Sequence, residues 1–270
     1  MNTTRLCALL LLEMTHLLAQ NYSIGGSIFI AAICKDGILI VSDSRGSVLD
    51  KRLRAATPIA YFDGIQKIFF LGDRAVVNTG QGFIGDIPIG SLWDKSRERF
   101  PESPLDAFLP NAFELARSLV SLDAVTLLKK NMIALAGVQQ RSAAICYYDG
   151  DGAFGCIHDG LVQSSPTKFV NYQSQLVAMT MVDAQVIATQ SIVDYIAADP
   201  KRKLTMGGDF HVAHVTASGP SWVPLAPTVQ RWANAEEMIR AIRGGQVSIT
   251  LVPPSTRREL DELLSGGVSK

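Results

Sequence analysis

Residues 24–46 read IGGSIFIAAICKDGILIVSDSRG, two apolar runs on either side of Lys35-Asp36-Gly37. Short apolar runs split by a turn signal predict a β-hairpin, with strands over about 27–34 and 38–44. Both faces of the first strand are apolar: Phe29, Ala31 and Ile33 alternate with Ile28, Ile30, Ala32 and Cys34. A sheet buried on both faces must be a middle layer. With Asp36-Gly37 as the central turn residues, Cys34 falls opposite Leu39, Ile30 opposite Asp43, and Ser27 opposite Gly46. In that register Asp43 lies near Ser27 but on the other face of the ladder.

Working outward, a polar, basic stretch follows at Gly46–Ala56, and KIFFL and RAVVNT make a second hairpin over about 67–79. Residues 82–123 change to helical spacing, divided in two by Pro101 and Pro104. MIALAGV, SAAICYY and GAFGCIH return to strand character, with Asp149–Gly152 as a turn. MVDAQVIATQSIVDYIAA predicts a long helix ending at Asp199-Pro200. FHVAHVTA and SWVPLA make a last strand pair, and Ala233–Ile242 and TRRELDELL two short helices. Hairpins with helices in blocks predict an α+β fold, a four-layer α-β-β-α sandwich of two antiparallel sheets.

The 270 residues contain 25 Lys and Arg against 25 Asp and Glu, a net charge of zero. That leaves no basic field for nucleic acid or anionic membrane. Apolar content of 47% and a mean hydropathy of +0.19 predict a well-buried globular protein. Cys7, Cys34, Cys146 and Cys156 form no CxxC pair and read as buried, inert thiols rather than a disulfide framework or zinc site. Residues 1–20 read as an amphipathic helix or removable propeptide, leaving the protein cytoplasmic; the alternative is a signal peptide and export. No run reaches the roughly 18 apolar residues of a membrane span.

The chemistry gathers on the opening hairpin. A serine hydroxyl needs a base, and cutting between Gly26 and Ser27 creates one, an α-amine with a pKa of roughly 7.7–8.0. Gly25-Gly26 reads either as a flexible entry to a strand or as such a cleavage site. Asp43, a carboxylate closing an apolar strand, needs a cation. Lys67 at the start of KIFFL bridges Asp43 to Ser27 in one reading; in the other, Lys67 caps a strand and Asp43 pairs with Arg45.

GGSIFIAAICKDGILIVSDSR resembles the start of a mature proteasome β-type subunit, an N-terminal-nucleophile hydrolase. The Ser27–Asp43 spacing matches that family's nucleophile–aspartate spacing, and Lys67-Ile68 resembles its catalytic lysine, displaced by an insertion within 46–66. Thr79-Gly80-Gln81-Gly82 resembles the segment lining its substrate cleft, and MGGDFHVAHVT its late Ser-Gly-Gly strand entry. The likeness spans roughly 24–220. It implies residues 1–26 as a propeptide or signal-like segment, 27–225 as the hydrolase domain, and 226–270 as a C-terminal helical extension. It implies Ser27, Asp43 and Lys67 as catalytic residues, Gly26 as the processing position, and Gly80, Gln81 and Gly82 as substrate or oxyanion donors. Neither cofactor nor metal is implied. The expected partners are a peptide or amide substrate and further copies of the chain, assembled as a homo-oligomer or ring.

Two departures stand out. Serine replaces the family's threonine, a mild change. The family's orienting serine is Met206 here, within Lys203-Leu204-Thr205-Met206-Gly207-Gly208. Asp199 replaces a missing carboxylate if Pro200–Lys203 is an insertion, and Ser164 or Ser165 stands near the serine that supports the amine. These departures imply a weakened or specialised site. Three functions follow: a peptide hydrolase, a non-catalytic subunit serving assembly, or a small-molecule amidase.

Gly80–Gly85 matches GxGxxG, but after a hairpin it reads as a tight strand-to-helix turn rather than a nucleotide site. His211 and His214, three apart on a strand, point to opposite faces and do not share a metal.

Overall fold

The computed structural model describes residues 22–50, 57–80, 82–84, 87–121, 125–126, 128, 131–139, 142–224, 227, 237–238, 241 and 245–253. The opening hairpin pairs β2 (Phe29–Cys34) with β3 (Gly37–Asp43). Its register differs from the sequence expectation. Cys34 pairs with Gly37 and Phe29 with Ser42, so the turn residues are Lys35 and Asp36. Gly37 is needed in the strand, where an added Cβ would sit 2.6 Å from the Val215 carbonyl oxygen. Asp36 is needed in the turn: its carboxylate accepts the Met181 N–H at 2.8 Å and so caps the helix that follows. The shift of two residues places Asp43 beside Ile28, next to Ser27.

β2 and β3 lie in a five-stranded sheet ordered β13 (Leu161–Gln163), β2, β3, β14 (Phe210–Thr216), β15 (Gly219–Trp222). A second five-stranded sheet runs β12 (Phe154–Ile157), β11 (Ser142–Tyr148), β10 (Ile133–Gln139), β7 (Arg74–Asn78), β6 (Ile68–Leu71). Every pairing in both is antiparallel. One apolar cluster joins Phe29, Ala31, Ile38 and Ile40 of the first sheet to Ile68, Val77, Ala134 and Ile145 of the second. The opposite face of β2 and β3, with Ile28, Ile30, Leu39 and Val41, packs on Ala184, Ala188 and Ile192 of α3 (Met181–Ala197) and on the 3-10 segment Lys168–Ala178. The far side of the second sheet packs on Trp93 and Phe108, from α1 (Ile89–Arg99) and α2 (Leu105–Leu119). Each fully buried large apolar side chain contributes about 1.5–3 kcal/mol, so the double-faced packing of β2 and β3 fixes the strands that carry the site.

Gly46–Asp50, read from sequence as a polar stretch, is strand β4 of a third sheet, ordered β1 (Tyr22–Gly25), β4, β5 (Thr57–Phe62), β16 (Thr250–Leu251). Residues 22–25 of the expected leader thus pair directly with 47–50. Part of the C-terminal segment also packs here: Met238, Ala241 and Val247 cluster with Val48, Ala60 and Phe62. Most of the two helices expected at 233–242 and in TRRELDELL lies outside the described residues, as do residues 1–20. One further difference lies at the start of the helical region, while the helix expected beyond Pro104 is present. A small hairpin of β8 (Phe83–Ile84) and β9 (Ile87–Pro88) precedes α1, and α2 continues through Pro110 near its first turns.

The cysteines also depart from expectation. Cys146 and Cys156 are directly opposite on β11 and β12 and form a disulfide. The Asp149 carboxylate accepts the N–H groups of Asp151, Gly152 and Ala153, which fixes the turn between these strands and brings the two thiols face to face. Cys34 remains a buried thiol, and burial pushes its pKa up to about 12.

Candidate active site

Ser27 sits in the short link between β1 and β2, 8% exposed, and its hydroxyl has no hydrogen-bond partner. Leaving such a group unsatisfied costs about 1–3 kcal/mol, so an orphan hydroxyl marks a position kept for something other than stability. Gly26 before it has φ +88°, and a Cβ there would lie 2.2 Å from the Thr205 carbonyl oxygen. Only glycine fits.

Lys67 enters from the start of β6. Its ammonium donates to Asp43 Oδ1 at 2.7 Å, to the Arg45 carbonyl at 2.7 Å and to the Gly26 carbonyl at 3.2 Å. All three of its donors are used. The Asp43–Lys67 pair is buried, with side-chain exposures of 0% and 5%. Burial pushes the Lys67 pKa below the ordinary lysine value, and the attraction of Asp43 opposes that shift. Asp43 is itself held from three directions. Oδ1 accepts the Ile28 N–H at 2.9 Å as well as Lys67, and Oδ2 accepts the Gly207 N–H at 2.8 Å.

Of the two sequence readings for Lys67, the structure has its pairing with Asp43 but not the contact with Ser27: Lys67 reaches the Gly26 carbonyl, and the Ser27 hydroxyl has no partner. Arg45 instead grips Asp63, Nε to Oδ1 at 2.8 Å and Nη2 to Oδ2 at 3.0 Å, and donates to the Lys203 carbonyl. Its guanidinium lies 4.1 Å from the centre of the Tyr61 ring, and the Asp63 hydrogen bonds raise its pKa. Sequence reasoning missed this clamp and missed Gly207.

The loop carrying Met206 is attached to the site through backbone atoms. Besides its N–H on Asp43, Gly207 accepts the N–H groups of Ser44 at 3.1 Å and Arg45 at 3.0 Å, while Ser47 Oγ donates to the Leu204 carbonyl at 2.8 Å. Met206 itself packs against the cluster formed with α3. The useful sequence signal was the Gly207-Gly208 pair, whose φ values of +139° and +73° few other residues adopt.

Ser164 makes no hydrogen bond to the Ser27 hydroxyl. Its Oγ accepts the Phe29 N–H at 2.9 Å and its N–H donates to the Phe29 carbonyl at 3.1 Å. Asp199 is engaged locally, accepting the Lys201 N–H at 2.9 Å and facing Arg202 at 3.9 Å, with no hydrogen bond or ion pair to Ser27, Asp43 or Lys67. Gly80 and Gly82 line one small cavity with Gly26, Ser27 and Lys67; Gln81 lies outside the described residues. That cavity is about 10 Å³, room for roughly one water. Four of its residues, Ile65, Gln66, Gly82 and Ile89, also line a neighbouring cavity of about 290 Å³.

His211, on β14 opposite Ser42, is 2% exposed, and its Nδ1 has no hydrogen-bond partner. Burial, with a smaller contribution from the Lys67 charge, lowers its pKa to about 4. Among the described residues no group of three His, Cys, Asp or Glu side chains is placed to hold a metal ion. No helix among them is long and apolar enough to cross a membrane. No protein-family model matches the chain, and no curated protein matches it.

Proposed function

We propose that the protein is an N-terminal-nucleophile hydrolase of proteasome β type, acting on peptide or amide bonds with Ser27 after the Gly26–Ser27 bond is cut. One observation carries the reading. A single buried ammonium, that of Lys67, touches the Asp43 carboxylate and the Gly26 carbonyl oxygen, immediately before an unpartnered serine hydroxyl. Two five-stranded sheets packed face to face, with helices outside both, support the four-layer α-β-β-α sandwich of such enzymes.

In the cut, Ser27 Oγ attacks the Gly26 carbonyl carbon. Lys67 stabilises the oxyanion, as its 3.2 Å contact with that oxygen allows. The C–N bond breaks, the hydroxyl proton passes to the leaving Ser27 nitrogen, and Gly26 is held as an ester on Oγ. Water hydrolyses the ester, leaving a Gly26 carboxylate and a free Ser27 amine. In turnover that amine takes the Oγ proton as the hydroxyl attacks a substrate carbonyl, and returns it to the departing amine. Water then cleaves the acyl-enzyme ester. The ammonium of Lys67, kept in place by Asp43, favours the neutral form of the adjacent amine.

Met206 favours a second reading, a non-catalytic subunit serving assembly, because a thioether packed in an apolar cluster orients nothing at Ser27. An amidase for small molecules uses the same machinery as the first. Val182, Val186 and Val193, exposed along α3, support assembly into a homo-oligomer or ring. The Cys146–Cys156 bridge favours export over the cytoplasm, since disulfides persist in oxidising compartments.

Treatment with a β-lactone tests the hydrolase reading. An adduct on the peptide beginning at Ser27, lost in Ser27→Ala, is the expected result. A folded wild-type chain that takes no label supports the non-catalytic subunit instead.

A further inference from the structure

Asp63 lies in the stretch 46–66, where the resembling family carries fewer residues, and it has no role in the chemistry described so far. Its carboxylate takes the Arg45 guanidinium edge-on, with Nε on Oδ1 at 2.8 Å and Nη2 on Oδ2 at 3.0 Å. A two-point fork of this kind fixes the plane of the guanidinium as well as its position. Tyr61, from the same stretch, covers one face, its ring centre 4.1 Å from Arg45 Cζ. The remaining terminal nitrogen, Nη1, donates to the Lys203 carbonyl. The guanidinium also lies against Gly207, where an added Cβ would come within 3.2 Å of Arg45 Cζ. Asp63 thus holds Arg45, and Arg45 holds the loop Lys203–Gly207 at both ends.

That loop works on the site with its backbone. The Thr205 carbonyl oxygen packs against Gly26, where an added Cβ would lie 2.2 Å from it at a φ of +88°. The Gly207 N–H holds Asp43 Oδ2 at 2.8 Å. Side chains of the loop turn elsewhere: Thr205 Oγ1 donates to the Arg202 carbonyl at 3.3 Å, and Met206 packs under α3. Backbone groups act at a site only as well as the loop carrying them is placed. Ser47 and Arg45 reach the loop carbonyls with side chains, and the Arg45 contact is the charge-assisted one. Its direction is set by Asp63.

Magnitude separates this role from ordinary stability. The Asp63 side chain is 41% exposed, and losing an ion pair that exposed lowers the Tm of a chain this size by less than about 4 °C. Misplacing a reacting group by about 1 Å, in contrast, costs about 100-fold in rate. A merely stabilising carboxylate leaves the cut nearly untouched when removed; one that sets the loop changes the cut far more than the fold.

We infer that Asp63 is a positioning residue for the Gly26–Ser27 cut: through Arg45 it sets the loop Lys203–Gly207, which holds Gly26 in the left-handed conformation that presents its carbonyl to Lys67. The inference rests on the hydrolase reading and gives the stretch 46–66 a part in it. Asp63 acts through Arg45 and the loop, not on the reacting atoms. Once the bond is cut, Gly26 leaves and the hold on it is no longer used. The step that depends on Asp63 is therefore the cut, rather than the later reactions of Ser27.

The test follows the full chain by intact mass during cell-free synthesis, reading the half-time of the cut, and labels the cut chains with a β-lactone. Asp63→Ala is expected to lengthen the half-time at least about tenfold, with a Tm lowered by less than about 4 °C. Asp63→Glu, which keeps the carboxylate, is expected to stay within about threefold of the wild type, and Arg45→Lys, which keeps the charge and loses the fork, to be slowed like Asp63→Ala. Asp63→Ala chains that have been cut are expected to take the label within about threefold of the wild-type rate. If Asp63→Ala does not fold, Asp63→Asn, which keeps the shape and loses the charge, decides by the same measures. A wild-type half-time in the folded variant, or labelling slowed as much as the cut, overturns the positioning role and leaves the hydrolase standing. Neither cut nor label in the folded wild type overturns both.

Discussion

Besides the Ile28 N–H, Asp43 is gripped from two sides, by a side chain on one and a backbone group on the other. On the front, Lys67 reaches it with a side chain, from the residue just before a hairpin in the other sheet. On the back, Gly207 reaches it with a backbone N–H from a loop that also accepts Ser44 and Arg45 through its carbonyl. The front therefore depends on residue identity, because the three donors of the Lys67 ammonium are matched to three acceptors. The back depends on loop shape. A methionine where the resembling family has a serine leaves the Gly207–Asp43 contact in place, and the side chain goes to the apolar cluster under α3.

That contrast is open to attack by mutation. Lys67→Met leaves the fully buried Asp43 carboxylate without its cation, which costs about 3–5 kcal/mol. A Tm lowered by roughly 10 °C, together with loss of the Gly26–Ser27 cut, is expected by thermal denaturation and mass. A stable variant that is still processed refutes the front. Gly208→Ala attacks the shape of the back. Its Cβ would lie 2.5 Å from Ser44 Oγ and 2.8 Å from Asp63 at a φ of +73°. A loss of about 1–3 kcal/mol in urea unfolding, with Ser27 still cut, is expected. Met206→Ser sharpens the comparison most. It restores the family's hydroxyl and removes apolar packing, so a loss of about 1–2 kcal/mol with hydrolysis changed by less than about tenfold is expected. A larger gain in kcat/KM means that the back does need its side chain.

An effect confined to low pH is expected at His211, on the strand that leads away from the back loop. Its pKa in the folded chain, about 4, lies below the ordinary 6.5. The unfolded chain therefore binds a proton first as pH falls. The stability held above about 6.5 is lost on the way down to about 4. His211→Asn removes that loss of about 3 kcal/mol, and its Tm between pH 7 and pH 4 is expected to fall by roughly 6 °C less than the wild type's.

The same contrast explains what the sequence revealed. The front was legible because Ser27, Asp43 and Lys67 sit on or beside strands that read as plain apolar runs. Its register was read two residues out because Asp-Gly is the stronger turn signal. Asp36 is used to cap α3 and Gly37 to pass close to Val215, needs that only the packed structure makes visible. The back was hardly legible, since its contacts run through the backbone of Leu204 and Gly207, which any sequence possesses. Cys146 and Cys156 were within reach of sequence: they flank the Asp149–Gly152 turn, and a hairpin centred on Asp151 sets them opposite.

The central claim is that a bare Gly-Gly-Ser is a masked nucleophile, and the intact mass of the purified chain tests it most directly. The expected masses are those of a chain beginning at Ser27 in the wild type and of an uncut Gly26–Ser27 bond in Ser27→Ala. A folded wild-type chain in which Gly26 remains joined to Ser27, or a Ser27→Ala chain cut at the same bond, contradicts it.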